Sequence, residues 1–191
     1  MRKCIVPVLL ACFCTLVSQN AMASDLGLKG LGVSVGMVSP EDIDATFGFG
    51  VFADHGFITP EIALESRIDY WSKSEDTGFG EFSLRDIEVS ARGKYMFPTS
   101  SGRLFPYAGA GLGLHFLNAK VDVPPMDLGG GNVIPGYTAE DSETRLGLDI
   151  GGGFQMPVNP KTDFVAEAWY GIVSDVSQFS LRVGMEWALG Q

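Results

Sequence analysis

One stretch near the middle of the chain decides the fold: residues 105–116 read FPYAGAGLGLHF. From Ala108 onward, alanine, leucine or phenylalanine occupies every second position, and glycine or histidine occupies the positions between. Because successive side chains of a β-strand point to opposite sides, this spacing places the apolar side chains on one face and the small or polar ones on the other. The stretch therefore predicts a β-strand with one apolar face.

The same alternation occurs in seven further segments, so we predict eight strands. Across all of them the apolar face carries no ionisable charge, whereas the opposite face carries nine acids and five Lys or Arg residues. Periodicity alone leaves two arrangements open: a soluble lipocalin-like barrel with the apolar face inside, and a membrane barrel with that face outside. The segments span about residues 31–37, 44–53, 61–70, 86–97, 104–116, 145–156, 164–172 and 179–190.

Three features favour the membrane arrangement. The charged face is also rich in glycine, which leaves room in a narrow lumen for long charged side chains. Aromatic residues lie towards the strand ends on the apolar face, as in interfacial girdles. Short turns (around 54–57, 98–103 and 157–162) alternate with longer connections that include 72–81 and 118–142. We therefore predict an all-β fold: an eight-stranded antiparallel up-and-down transmembrane β-barrel with both mature termini in the periplasm.

The first 23 residues are typical of a cleaved secretory signal. Arg2 and Lys3 form a basic start, an apolar run extends from Cys4 to Val17, and Ala21-Met-Ala23 has the small-residue pattern of a cleavage site. The apolar run is shorter than the roughly 20 residues of a membrane-spanning helix. We predict a signal peptide at 1–23 and a single barrel domain at 24–191.

Composition excludes several classes of function. The chain has 13 Lys and Arg residues against 23 Asp and Glu, a net charge of −10 that argues against nucleic-acid binding. Its mean hydropathy of +0.17 is too high for a disordered chain. All three cysteines precede residue 24, so the mature chain has no disulfide.

The charged face predicts a network of ion pairs inside the barrel. An eight-stranded barrel is just wide enough for its own side chains, so we expect a filled lumen rather than an open pore. Buried charges need partners, and Glu88 with Arg92 and Asp149 with Arg145 have suitable spacing along one strand face. The predicted lumen residues are Glu61, Glu65, Arg67, Asp69, Glu88, Arg92, Lys94, Arg145, Asp149, Glu167, Arg182 and Glu186.

No catalytic, cofactor-binding or metal-binding residue is predicted. The run His115-Phe-Leu-Asn118 resembles the His-x-Ser-Asn run of lipid A deacylases, but Leu117 stands where those enzymes carry the serine nucleophile. His115 is therefore expected to be a structural or rim residue. The only other histidine, His55, is far away in the chain, and the mature chain lacks cysteine, so nothing in the spacing indicates a metal site.

Taken over the whole mature chain, the sequence resembles the small eight-stranded outer-membrane β-barrels of the OmpA-like and OmpX-like type. The resemblance rests on the signal peptide, the strand rhythm, residues 105–114 and the amphipathic last strand, 179–189. It implies residence in the Gram-negative outer membrane and, as partners, outer-membrane lipids, lipopolysaccharide and the barrel-assembly machinery. Family members commonly end in an aromatic residue, whereas this chain ends in Gln191.

We accordingly expect a non-enzymatic outer-membrane protein with a structural or surface-interaction role. Loops on rigid scaffolds carry recognition, so the long segment 118–142 is the predicted place for a surface ligand. Two alternatives stay open at this point: a lipid A-modifying enzyme of the outer membrane, and a soluble periplasmic lipocalin-like carrier.

Overall fold

The computed structural model of the protein describes residues 25–41, 43–76, 78, 80–100, 102–127, 129, 133–174 and 176–190. The predicted signal peptide and Gln191 lie outside the described residues. None of the described residues belongs to a helix that is long and apolar enough to cross a membrane. The strands are β1 (Asp25–Pro40), β2 (Thr46–Thr59), β3 (Ile62–Asp76), β4 (Glu81–Met96), β5 (Phe105–Val123), β6 (Met126–Asp127), β7 (Val133–Ile134), β8 (Tyr137–Asn159), β9 (Thr162–Val173) and β10 (Gln178–Ala188).

Eight of these strands close into a barrel in the order β1-β10-β9-β8-β5-β4-β3-β2. Every neighbouring pair is antiparallel, and closure comes from β1, which pairs with β2 on one side and β10 on the other. The prediction of an eight-stranded antiparallel barrel is confirmed. The two short strands β6 and β7 form a separate hairpin at the tip of the β5–β8 connection.

The apolar face of each strand points outward, and the charged face points inward. On β1, for example, Val33 and Val35 are exposed whereas Ser34 is buried. On β8, Leu148 and Ile150 are exposed and Asp149 between them is buried. This is the orientation of a membrane barrel, and it is opposite to the orientation of a lipocalin-like carrier.

The barrel has two distinct ends, which we call the turn end and the loop end. The turn end holds Asp25, Ala188 and the connections at 60–61, 97–104 and 160–161. The loop end holds the connections β1–β2, β3–β4, β5–β8 and β9–β10. The two ends differ most in β5 and β8, which are 19 and 23 residues long and extend past the other strands at the loop end.

Two predicted connections at the loop end are shorter in the structure. Residues 118–123, expected to begin the long loop, continue β5 and pair with residues 137–142 of β8. Likewise β3 and β4 remain paired up to Asp76 and Glu81, within the connection predicted at 72–81. The reason is that strand pairing outside a membrane needs only the backbone ladder, so the apolar alternation that marks a strand in the sequence is lost there while the strand continues.

The turn between β2 and β3 also lies elsewhere than predicted. The structure places it at residues 60–61, because β2 continues to Thr59 through a register shift between Asp54 and Phe57. Gly56 within that irregular stretch has a φ of 77°, a backbone conformation that favours glycine. The predicted turn at 54–57 is therefore a bulge within a strand.

Candidate functional site

The lumen is lined by buried charged side chains that contact one another. Arg67, on β3, donates from Nε to Asp69 Oδ2 at 3.1 Å, from Nη1 to Glu65 Oε1 at 3.2 Å, and from Nη2 to Ser34 Oγ at 3.0 Å. It also donates to Glu167 of β9, on another side of the barrel. One guanidinium thus connects side chains from three strands.

A second arginine, Arg92 of β4, makes a similar set of contacts. The Nη2 atom of Arg92 lies 3.0 Å from Glu88 Oε1 and 3.0 Å from Asp149 Oδ2. Its guanidinium carbon lies 4.4 Å from the ring centroid of Trp169, which favours a cation–π interaction. Arg182 Nη1 lies 2.8 Å from Asp69 Oδ1. Asp69 is also a common partner of Arg67 and Arg92, since its Oδ2 atom accepts from Arg67 and lies 3.9 Å from Arg92 Nη2.

Aromatic side chains occupy the space between these charges. Tyr107 donates its hydroxyl to Glu167 Oε2 at 2.8 Å, and Trp169 Nε1 donates to the same oxygen at 3.0 Å. Lys94 pairs with Glu65, and its Nζ atom lies 4.8 Å from the Tyr107 ring centroid. The glycines of the lumen face accommodate this bulk: a Cβ built at Gly151 would lie 2.7 Å from the Trp169 ring.

Ten of the twelve predicted lumen residues are buried inside the barrel, and two are not. Glu61 lies in the exposed turn at 60–61, where Thr59 Oγ1 donates to it, so its predicted place in the lumen is wrong. Arg145 lies at the loop-end rim, where it donates to Glu143 and to the Ser174 carbonyl oxygen. The predicted Asp149–Arg145 pair is wrong, because Asp149 pairs with Arg92 instead. The ten buried residues are Glu65, Arg67, Asp69, Glu88, Arg92, Lys94, Asp149, Glu167, Arg182 and Glu186.

The predicted set of lumen residues lacked Asp86 and His115, which form a buried pair. His115 Nδ1 lies 2.8 Å from Asp86 Oδ2, and both side chains are almost completely buried. The alternation of side chains along β4 and β5 is enough to place both residues on the charged face. Their contact follows from the pairing of β4 with β5, in which Asp86 is opposite Leu117 and Glu88 is opposite His115.

Above these charges, towards the loop end, the lumen becomes apolar. Val38, Trp71 and Leu84 form a buried cluster, and Ile43 from the β1–β2 connection packs against it together with Phe82 and Ala119. We call the three buried residues the capping cluster. By strand register it lies between the charged side chains of the lumen and the loop end.

The outward surface changes from apolar to polar along one registered row of residues. Tyr70, Ile87 and Phe116 are consecutive partners across β3, β4 and β5, and Thr144 of β8 pairs with Phe116. On the turn-end side of this row the outward residues of these strands are apolar or glycine, apart from Ser66, which is hydrogen-bonded to His55. On β5 the apolar residues run from Ala108 to Phe116, the nine or so residues that a transmembrane strand needs. On the loop-end side they are polar, so the row indicates the edge of the membrane.

An open groove of about 350 Å³ lies on the polar side of that row. Arg85 contributes to its wall and lies 3.6 Å from Glu140, in an exposed pair. Asn118 Nδ2 donates to Glu140 Oε1 at 2.7 Å and to Ser142 Oγ at 2.8 Å. We call this feature the loop-end groove; its lining residues are Tyr70, Ser72, Ser74, Ser83, Leu84, Arg85, Asn118, Lys120 and Glu140.

A closed antiparallel barrel with an apolar exterior and a charged lumen defines an integral membrane β-barrel protein. Residues 9–188 match the outer membrane protein beta-barrel domain family, and the chain belongs to that family. Membership places the protein in the outer membrane of a Gram-negative bacterium. No curated protein matches the sequence.

Solved structures with the same fold include three outer-membrane proteins. Neisserial surface protein A is 20% identical, with a TM-score of 0.54, over 84% of this chain and 96% of its own. Ail of Yersinia pestis, in complex with the heparin analogue sucrose octasulfate, is 15% identical, with a TM-score of 0.55, over 85% of this chain and 100% of its own. A major outer membrane protein from Thermus thermophilus is 12% identical, with a TM-score of 0.59, over 85% of this chain and 100% of its own. At these identities the similarity concerns the fold.

Proposed function

We propose that the protein is a non-enzymatic surface protein of the outer membrane that binds anionic saccharides through the loop-end groove. The observation that carries the proposal is the groove itself: a polar surface built on paired strands, immediately beyond the apolar band of the barrel. Because paired strands hold their side chains in fixed positions, the groove is more ordered than a free loop would be.

The proposed orientation places the loop end outside the cell and both mature termini in the periplasm. Short turns face the periplasm in bacterial outer-membrane barrels, and longer loops face outward. In this chain the turns at 60–61 and 160–161 lie at the same end as Asp25 and Ala188. Lipopolysaccharide of the outer leaflet would then lie beside the groove, and outer-membrane lipids would contact the apolar exterior.

The side chains of the groove suit a saccharide that carries phosphate or sulfate groups. Three serine hydroxyls and the Asn118 amide can bond to sugar hydroxyls, and Arg85 and Lys120 can bond to anions. The existing ion pairs, Arg85 with Glu140 and Lys120 with Asp122, are about half exposed. Such pairs contribute only about 0–1 kcal/mol, so a ligand anion can replace them at little cost. Ail, which has the same fold, binds a sulfated saccharide analogue.

The contents of the lumen support a structural role for the interior. Buried side chains from several strands, including Arg67, Arg92 and Trp169, contact one another across the barrel. We propose that they fill the lumen and leave no open pore, in line with the narrow interior of eight-stranded barrels.

The position of His115 argues against the alternative of a lipid A-modifying enzyme. The histidine faces the lumen and is about 1% exposed, so an acyl chain in the surrounding membrane cannot reach it. Leu117, which replaces the serine nucleophile of the deacylases, is buried in the same lumen. We expect the lipid A mass spectrum of cells to be unchanged by expression of the protein, and a changed spectrum would favour the enzyme.

A binding experiment in lipid nanodiscs tests the groove. Sucrose octasulfate and purified lipopolysaccharide, each titrated separately, are the probes, and Arg85→Ala/Lys120→Ala is the test variant. Loss of two charge-assisted contacts, each about 1.5 kcal/mol, should weaken binding by about a hundredfold. The control is Lys161→Ala, which removes a positive charge at the turn end, far from the groove. This variant should bind the probes with the affinity of the unsubstituted protein. Equal affinities for the test variant and the control would refute the proposal, and the probe that binds more tightly identifies the source of the saccharide.

A further inference from the structure

We propose that Glu88, His115 and Asp149 form a binding site for one divalent transition-metal ion, of which zinc fits best, inside the lumen. The three residues belong to the adjacent strands β4, β5 and β8, and each is no more than about 4% exposed. One potential ligand atom from each side chain lies within 4.8 Å of the other two. Tetrahedral zinc with bonds of about 2.1 Å needs ligand atoms about 3.4 Å apart, so shifts of about 1 Å close the site.

The histidine is already oriented as a metal ligand would be. Its Nδ1 atom lies 2.8 Å from Asp86 Oδ2, while its Nε2 atom is buried without any hydrogen-bond partner. A buried polar atom without a partner is costly, and native structures rarely retain one. In metal sites the ligating histidine almost always donates its other ring nitrogen to a carboxylate, and Asp86 supplies that carboxylate here.

Two glycines on the lumen face make room for the imidazole. A Cβ built at Gly147 would lie 2.7 Å from His115 Nε2, and one built at Gly113 would lie 3.3 Å from Nε2 and 3.2 Å from Glu88 Oε1. A larger residue at Gly147 would displace the imidazole, and one at Gly113 would press on both His115 Nε2 and the Glu88 carboxylate. The two glycines therefore leave the space that the imidazole and the Glu88 carboxylate occupy.

The charge balance of the lumen also calls for a cation. The charged residues buried in the described part of the chain comprise seven acids and four bases. Asp69 pairs with Arg67 and Arg182, whereas Glu88 and Asp149 both depend on Arg92, so one guanidinium faces two carboxylates at the proposed site. Protons or a metal ion must compensate the remainder, because uncompensated buried charge is strongly unfavourable. The bases are Arg67, Arg92, Lys94 and Arg182; the acids are Glu65, Asp69, Asp86, Glu88, Asp149, Glu167 and Glu186.

The donor set determines the class of ion. One imidazole nitrogen and two carboxylate oxygens suit zinc and neighbouring transition metals, whereas calcium and magnesium prefer oxygen ligands alone. Spacing in the sequence gives no indication of such a site, because its three residues come from three strands and are brought together only by the register of the barrel. Bound in the lumen, the ion would join β4, β5 and β8 and stabilise the barrel.

Metal content after refolding tests the site directly. The mature chain is unfolded in urea with EDTA, freed of chelator, and refolded in detergent, with Zn²⁺ added before refolding in one sample and afterwards in another. After gel filtration we expect about one zinc per chain in at least one of the two samples. If the capping cluster blocks entry to the folded barrel, only the sample that received Zn²⁺ before refolding should contain the ion. His115→Gln should reduce this content at least tenfold, and His55→Gln, which removes the only other histidine of the mature chain, should leave it unchanged.

Two further measurements separate loss of the site from loss of the fold. The shift of the unboiled band on an SDS gel shows whether His115→Gln still forms a barrel. On the unsubstituted protein, Co²⁺ in place of Zn²⁺ should produce a visible absorption band that excess Zn²⁺ removes. Failure of the unsubstituted barrel to retain zinc in either sample, or equal retention by a folded His115→Gln variant, would overturn the proposal and leave protons as the compensating charge.

Discussion

Replacing Arg67 with methionine should destabilise the barrel far more than replacing an exposed arginine. The Arg67 side chain is fully buried and contacts Glu65, Asp69 and Glu167. Methionine has a similar length but no charge, so the substitution leaves these carboxylates buried without their shared cation. Breaking a buried ion pair from one side costs about 3–5 kcal/mol, and we expect a loss of that size in the free energy of unfolding.

Arg85→Met is the matched control. The Arg85 side chain is 54% exposed, and its pair with Glu140 spans 3.6 Å. Pairs of this kind contribute about 0–1 kcal/mol because water screens them. The two substitutions remove the same chemical group, so the difference between their effects reports burial and not the loss of an arginine as such.

Urea unfolding in lipid vesicles measures both variants. Fluorescence of Trp71 and Trp169, which are buried in the lumen, follows the transition, and the unboiled band on an SDS gel reports the remaining barrel. Adding Glu167→Gln to Arg67→Met should recover part of the loss, because Glu65 and Asp69 keep Lys94 and Arg182 as partners whereas Glu167 loses the cation that pairs with it. Unfolding free energies of Arg67→Met and Arg85→Met that agree within about 1 kcal/mol, well below the expected cost, would refute the idea that Arg67 holds the lumen together.

Three other substitutions examine the exterior, the packing and the loop end. Leu148→Arg, on the outward face, should cost about 2–4 kcal/mol in lipid if its position is near the middle of the membrane, and a variant as stable as the original protein would contradict the assignment of that face. Gly151→Ala places a Cβ 2.7 Å from the Trp169 ring and should lower the urea midpoint, whereas Gly93→Ala, with no atom nearer than 3.9 Å, should not. Replacing residues 124–136 with a short turn should leave the barrel intact in the SDS gel assay, because the eight long strands do not pair with β6 or β7; loss of the folded band would show that the tip is needed for assembly.

Glycine content, aromatic positions and connection lengths were needed to predict which face of the strands lies inside, but alternation along the sequence was sufficient to predict which side chains share that face. The reason is covalent geometry: neighbouring side chains of a strand point to opposite sides whatever their partners are. Arg92 and Asp149 were placed on the inner face for this reason, and both are buried there. However, the alternation does not show how far along the barrel axis a residue lies. Arg145 has the parity of Asp149 but lies at the loop-end rim, where its partners are Glu143 and the Ser174 carbonyl.

Contacts between strands could not be predicted from the sequence, because they depend on register. The pairing of β4 with β5 brings Asp86 to His115, and the pairing of β5 with β8 brings Asp149 into the same region. A shift of either pair by two residues would keep every side chain on its predicted face and change every partner. The candidate metal ligands were therefore individually visible in the sequence, but their proximity was not.

The loop-end extension shows how the membrane itself determines the pattern from which strands are predicted. On β5 the outward residues are apolar up to Phe116 and polar from Asn118 to Asp122, although the backbone ladder with β8 continues without interruption. Lipid requires apolar side chains only where it touches the barrel, so the alternation ends at the edge of the membrane and not at the end of the strand. Outward residues beyond that edge face neither the acyl chains of the membrane nor the lumen. Substitutions there leave the contacts of the membrane-spanning barrel and of the capping cluster in place, and the proposed binding function of the groove depends on this separation.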